Sequence, residues 1–216
     1  FTSDDSRVRL VDAQSGANIA VLEGHTERAV EAIFSPDGRS LASVGSDGLL
    51  ILWDVDARPP RLRVPLGVAA RAVTYSHDGR FIAVGCDDWT IRLFDAHSGT
   101  VLKVMPGAKQ HVFGLRFHPD GNLLFSCCRD SVVQVWDVRL GREIAQLEGH
   151  ADLVLSLDLS PDGRTLVTSS SDRSVGVWNL EHYRRHLRGN IGIWRSLASP
   201  QPAGDPSTVI PTASAP

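Results

Sequence analysis

The chain is short of lysine and cysteine, and only the second shortage narrows what it can be. Only Lys103 and Lys109 accompany 20 arginines, a skew of codon usage that carries no chemistry. Cys86, Cys127 and Cys128 are odd in number and two are adjacent, which excludes a disulfide framework and fits a reducing compartment. Long apolar runs are missing: the longest, such as Leu49–Trp53, fall far below the ~18 residues of a spanning helix. Excess charge of one sign is missing too, since the net charge is -3 and the pI about 6.2. That balance provides no bulk attraction to nucleic acid or anionic membrane. The residues after Phe1 show neither a charged n-region nor an apolar h-region, so no signal peptide is expected. No Gly-x-Gly-x-x-Gly, phosphate-cradling loop or Gly-x-Ser-x-Gly elbow occurs.

What is present is repetition. The 216 residues are 42% apolar and 22% charged, enough for a sizeable core. Arg9-Leu10-Val11-Asp12, Ile51-Leu52-Trp53-Asp54, Arg92-Leu93-Phe94-Asp95, Gln134-Val135-Trp136-Asp137 and Gly176-Val177-Trp178-Asn179 superpose at spacings of 42, 41, 42 and 42. In step with them run Ser-Pro-Asp-Gly at 35–38, Ser-His-Asp-Gly at 76–79, His-Pro-Asp-Gly at 118–121 and Ser-Pro-Asp-Gly at 160–163. An Asp stands six residues before each closing position, at 5, 47, 88, 130 and 172. Within a unit, Ala29–Phe34, Arg39–Val44 and Leu49–Trp53 read as strands cut by Pro-Asp-Gly and Ser-Asp-Gly turns. Asn18–Leu22, Val101–Met105 and Glu143–Leu147 read as fourth strands. Four antiparallel strands in about 42 residues leave no room for helices, so the fold class is all-β.

Gly24-His25 and Gly149-His150 open repeats, and Trp53-Asp54 and Trp136-Asp137 close strands. On these motifs residues 1 to 180 resemble the WD40-repeat family, whose units are four-stranded blades of a β-propeller. The resemblance implies a blade-pinning hydrogen-bonded tetrad: His25, Ser43, Asp47 and Trp53, and again His150, Thr168, Asp172 and Trp178. The middle units depart from it, with Val68, Val84 and Phe94 in one and Ala108 in place of His in the next. Ser, His and Asp together invite a hydrolase reading, but they recur once per repeat and attach to an indole, which suits a structural network. Catalytic residues, cofactors, metal sites and a small-molecule substrate are therefore not expected. Cys127 and Cys128 on one strand point to opposite faces and read as buried small hydrophobes. His182 and His186 share a helical face, yet Arg184 and Arg185 would repel a cation, and Tyr183–Arg188 reads as a solvated basic run.

The resemblance further implies a protein-binding platform. Position by position, its docking face maps to Arg28, Val30, Ser46, Arg71, Asp87, His111, Phe113, Arg129, Leu153, Leu155 and Ser171, with Trp89 in a turn where Gly is usual. The expected partner is a protein, with no nucleic acid and no membrane, and the expected compartment is the cytoplasm. Residues 1–195 are expected to form a partial propeller of four full repeats and part of a fifth, belonging to a longer chain. Residues 196–216, rich in Pro, Ala, Ser and Thr, are expected to be a disordered tail. The ending from Trp178 to Asn190 resembles WD40 arrays of bacterial multidomain proteins, some of them serine/threonine kinases. The alternative reading is thus a regulatory or sensor domain beside a catalytic one.

Overall fold

A computed structural model describes residues 2, 5–57, 59–108 and 110–181, and the backbone of 194–195. The expected tail, the His182/His186 pair and the basic run Tyr183–Arg188 lie outside the described residues. The described residues form five successive sheets, antiparallel throughout except for one short edge strand. The first holds β1 (Arg7–Val11) and β2 (Asn18–Glu23). The second holds β3 (Ala29–Phe34), β4 (Ser40–Gly45), β5 (Leu49–Asp54) and β6 (Pro60–Pro65). The third holds β7 (Ala70–Tyr75), β8 (Phe81–Cys86), β9 (Thr90–Asp95) and β10 (Val101–Pro106). The fourth holds β11 (Val112–Phe117), β12 (Leu123–Cys128), β13 (Val132–Asp137) and β14 (Arg142–Glu148), with β18 (Trp194–Arg195) parallel on its outer edge. The fifth holds β15 (Val154–Leu159), β16 (Thr165–Ser170) and β17 (Val175–Asn179), three strands among the described residues where the repeat pattern expects four.

The turns follow from side-chain chemistry. In the second sheet Ser35 Oγ donates to Asp37 Oδ1 at 2.6 Å and accepts from the Ser40 amide at 2.9 Å, while Gly38 takes φ 71°. Ser76 with Asp78, and Ser160 with Asp162, repeat the arrangement. The serine hydroxyls hold all three carboxyls below the ordinary range. Arg39 donates its amide to Asp37, so it belongs to the turn, and β4 starts one residue later than the hydropathy suggests. The strand β6 is flanked by prolines at both ends, which its place on a sheet edge tolerates because no further ladder needs their amides.

The core lies between sheets rather than at one centre. Val8, Leu10 and Leu22 pack on Ile51 and Trp53; Leu50 and Leu52 pack on Val73, Ile82 and Phe94. Ile91 and Leu93 meet Leu115, Leu124 and Trp136, and Phe125, Val133 and Val135 meet Leu157, Leu166 and Trp178. The second, third and fourth sheets thus bury both faces against their neighbours, which is why their strands are apolar on alternate positions of both kinds. The far face of the fifth sheet is uncovered among the described residues. Val167, Val175 and Val177 are 40%, 44% and 61% exposed there, at positions equivalent to buried Phe125, Val133 and Val135.

Glu31 ties two sheets together, its Oε2 accepting the Val73 amide of the next inner strand at 2.7 Å. Burial pushes its carboxyl above the usual range, against the Val73 amide and the Arg116 charge, which pull it down. A carboxyl raised on folding contributes less stability as pH climbs from its unfolded pKa through its folded one. Glu31→Gln keeps the acceptor and removes the charge. It should be more stable than the parent at pH 7–8, with the difference closing below about pH 4, as read from urea midpoints across pH.

Candidate interaction surface

The tetrad side chains meet as a chain of hydrogen bonds in the second sheet. Trp53 Nε1 donates to Ser43 Oγ at 2.8 Å, and Ser43 Oγ lies 2.8 Å from His25 Nε2. His25 Nδ1 lies 3.0 Å from Asp47 Oδ1, and Asp47 Oδ2 accepts the Thr26 amide at 2.9 Å. One sense of donation, from Trp53 to Ser43 to His25 to Asp47, satisfies every group. The fifth sheet repeats it: Trp178 Nε1 donates to Thr168 Oγ1 at 2.9 Å, which lies 2.7 Å from His150 Nε2, with Nδ1 3.0 Å from Asp172 Oδ2. Asp172 is held well below the usual carboxylate range, first by the Ser174 hydroxyl and then by the Ala151 amide and His150. The indole, hydroxyl and imidazole of each set are buried and mutually paired, which leaves no exposed nucleophile.

The middle sheets solve the same problem differently. In the third, Val84 and Phe94 are fully buried and Val68 packs against their cluster, so the polar chain is replaced by apolar contact. In the fourth, Trp136 Nε1 donates to Ser126 Oγ at 2.8 Å, and Ala108 stands where the His would be. Gln134 fills the gap, donating Nε2 to Gly107 O at 3.1 Å and to Glu143 Oε2 at 2.7 Å, with Oε1 3.4 Å from Ser126 Oγ. Sequence reasoning missed Gln134; a polar residue at an inward strand position opposite a lost His was its only signal.

The expected docking residues gather at one end of the sheets. Ser46 N donates to Arg28 O at 2.9 Å, Asp87 N to Ala69 O at 2.8 Å, Arg129 N to His111 O at 3.1 Å and Ser171 N to Leu153 O at 2.9 Å. This bond recurs in the second to fifth sheets and sets the residue entering the inner strand beside the one preceding the turn Asp. A second recurrence is a β-bulge. The ladders step from Ala29↔Gly45 to Glu31↔Val44, from Ala70↔Cys86 to Ala72↔Gly85, from Val112↔Cys128 to Gly114↔Cys127, and from Val154↔Ser170 to Ser156↔Ser169. The skipped residues are Val30, Arg71, Phe113 and Leu155. A bulge leaves its extra residue unpaired and re-aims the side chain, here at the same height in four neighbouring strands.

The individual side chains are not equivalent. Arg71 grips Asp87 through Nε and Nη2 at 2.6 and 2.9 Å, and His111 Nδ1 lies 3.0 Å from the same carboxylate, so three of the residues expected to dock form one cluster across two sheets. Arg28, Arg129, Leu155 and Ser171 are exposed, whereas Val30, Ser46 and Leu153 are half-buried. Phe113 is half-buried and packs on the cluster between the fourth and fifth sheets, so its truncation would also cost stability. Trp89 is 52% exposed and sits at φ 64°, the left-handed conformation that Gly48 takes in the second sheet. About half of the residue's surface is open to solvent. Cys86, Cys127 and Cys128 are free and buried, and burial pushes the first two thiols up to about 11 and about 12. No group of three His, Cys, Asp or Glu among the described residues is placed to hold a metal, and no described helix is long and apolar enough to cross a membrane.

Sheets of four antiparallel strands, stacked through their faces with inner strands side by side, are the blades of a β-propeller. The WD domain, G-beta repeat family model matches residues 99–137 and 141–179. Residues 99–137 and 141–179 are WD40 repeats, and the fold is all-β. Over 141 residues it is 31% identical to the nuclear distribution protein PAC1 of Arthroderma otae, covering 54% of this chain and 30% of that one. It is 35% identical over 107 residues to transcription initiation factor TFIID subunit 5 of Caenorhabditis elegans, covering 46% and 16%. To coronin-7 of Bos taurus it is 31% identical over 122 residues, covering 55% and 13%. The matched region thus spans less than a third of each relative's length. The resemblance to kinase-bearing arrays rests on an ending of which residues 182–190 lie outside the described ones.

A second model, the cytochrome D1 heme domain, matches residues 1–112. A haem needs a side chain free to ligate its iron from the wall of a cavity. Both ring nitrogens of His25 are engaged by Ser43 and Asp47, and Met105 is sealed in the apolar cluster between the third and fourth blades. His111 points Nδ1 at Asp87, and His77 and His97 border open surface clefts of about 370 and 380 Å³. These residues do not fit a haem, and the likeness lies in the repeated strands.

Proposed function

We propose that the chain is a non-catalytic platform that docks another protein, using the blade end that carries Arg28, Val30, Arg71, Trp89, Phe113, Arg129 and Leu155. The observation that carries this reading is the bulge repeated at Val30, Arg71, Phe113 and Leu155 in four inner strands. It presents one side chain per blade toward a common surface, while the backbone beneath is held by a recurring hydrogen bond. The mixture suits an interface with apolar and aromatic anchors and charge around them. One relative is by its name a subunit of a larger transcription factor, which agrees with a docking role. The tetrads of His25 and His150 serve in this reading as struts that hold the blades. The three buried thiols agree with a reducing, cytoplasmic setting. The uncovered valines of the fifth blade favour a place within a longer array, because a further blade would bury them as its equivalents bury Val133 and Val135.

The test is to pan displayed peptides on the intact chain and compare the Arg129→Glu/Leu155→Glu variant. Binding of selected peptides should fall by about a hundredfold or more, with the melting temperature unchanged. Peptides that bind both proteins equally would remove this face from the assignment. Trp89→Gly separates docking from folding at the same surface. Glycine relieves the left-handed strain, so the variant should gain about 0.5–1 kcal/mol in denaturant while losing peptide affinity. A loss of stability would mean that the indole is a packing residue.

A further inference from the structure

At the opposite end of the blades, the cleft between the second and third sheets departs from the repeat in a way that folding does not require. Tyr75 ends the inner strand β7 and is 7% exposed, and among the described residues its hydroxyl has no hydrogen-bond partner. Phe34 and Phe117 hold the equivalent position in the neighbouring blades, so a phenyl ring suffices to end this strand. A buried, unpaired hydroxyl costs stability that phenylalanine would not.

Tyr75 helps to line a cleft of about 380 Å³, together with Asp37, Arg61, Asp78, Gly79 and His97 among others, and its hydroxyl is buried behind that wall. Arg61 is already committed, its Nη1 and Nη2 donating to His97 O and Ala96 O at 2.6 and 2.7 Å. Lys103 reaches Arg139 O in the same way across the next blade boundary, which marks the basic residue as a structural tie. Asp37 and Asp78 use Oδ1 for their own turns, on Ser35 and Arg39 and on Ser76 and Arg80. Among the described residues their Oδ2 atoms accept no hydrogen bond and remain as acceptors. Two carboxylates line this cleft and a hydroxyl lies behind its wall, against a single cation already bound to backbone.

We propose that this cleft receives an arginine side chain from a partner peptide, its guanidinium donating to Asp37, Asp78 and the Tyr75 oxygen. A planar fork with five donors matches separate acceptors better than a point charge does. This site lies apart from the docking face and does not depend on it.

The experiment follows the amide shifts of Gly79 and His97 in the intact chain during titration with acetyl-Gly-Arg-Gly-amide. The peptide with citrulline in place of arginine is the neutral isostere. The arginine peptide should give saturable shifts, and the citrulline peptide should bind at least tenfold more weakly. Tyr75→Phe should weaken binding about tenfold while leaving the melting temperature level or higher. Asp37→Asn/Asp78→Asn keeps the turn acceptors and should abolish saturation. Equal response to both peptides, or undiminished binding by Tyr75→Phe, would overturn the proposal. So would destabilisation by Tyr75→Phe, since the hydroxyl would then be satisfied within the folded protein.

Discussion

Ser43→Ala is expected to lower the stability of the chain by about 2–4 kcal/mol, read as a shift of the urea midpoint at unchanged slope. The hydroxyl removed is fully buried and stands between Trp53 Nε1 and His25 Nε2, each 2.8 Å away. Its loss orphans two buried polar groups at once. The third blade supplies the control, because Val84 and Phe94 occupy the corresponding positions with nothing left unpaired. Converting the second blade to that pattern, His25→Val/Ser43→Val/Trp53→Phe, should therefore cost no more than Ser43→Ala alone. Asp47 stays partnered in the triple variant through the Thr26 and Leu49 amides. Simple addition of three single losses would show that the polar chain does not act as a unit.

A larger loss is expected from Trp136→Ala, about 3–5 kcal/mol. The indole is fully buried in the cluster shared by the third and fourth blades, among Ile91, Leu93, Leu115 and Leu124. Truncation opens a cavity between two sheets whose faces are held by their own ladders and so cannot close it. Trp136→Phe should cost only about 1–2 kcal/mol, since Phe94 fills the equivalent space one blade earlier and the remaining loss is the bond to Ser126. Equal losses for the two variants would place the importance of Trp136 in its hydrogen bond rather than its volume.

Much of the architecture was legible in the residues because turns and closing positions are local devices. Asp37, Asp78 and Asp162 each act on a serine and an amide within a few residues, so their spacing marks those three hairpins directly. The strand Pro60–Pro65 escaped hydropathy, since its prolines and arginines deny it a strand's usual pattern and only its edge position makes it tolerable. The tetrad partners could be named from the motif. The substitution of Gln134 for the missing His could not, because its partners Gly107 and Glu143 lie 27 and 9 residues away.

The sequence by itself determined the all-β class, the period, the turn chemistry and the family, all of which depend on side chains acting on neighbouring backbone. The tertiary structure alone decided how the expected docking residues are engaged: Arg71, Asp87 and His111 bound to one another, Phe113 packed partly on the core, and Trp89 half exposed. It alone disclosed the bulges, because a bulge is a mismatch of register between two strands and neither strand's residues record it. The unpaired hydroxyl of Tyr75 belongs to the same class of fact. Whether a polar atom has a partner depends on what the adjoining blades bring to it, and that is settled only when they pack.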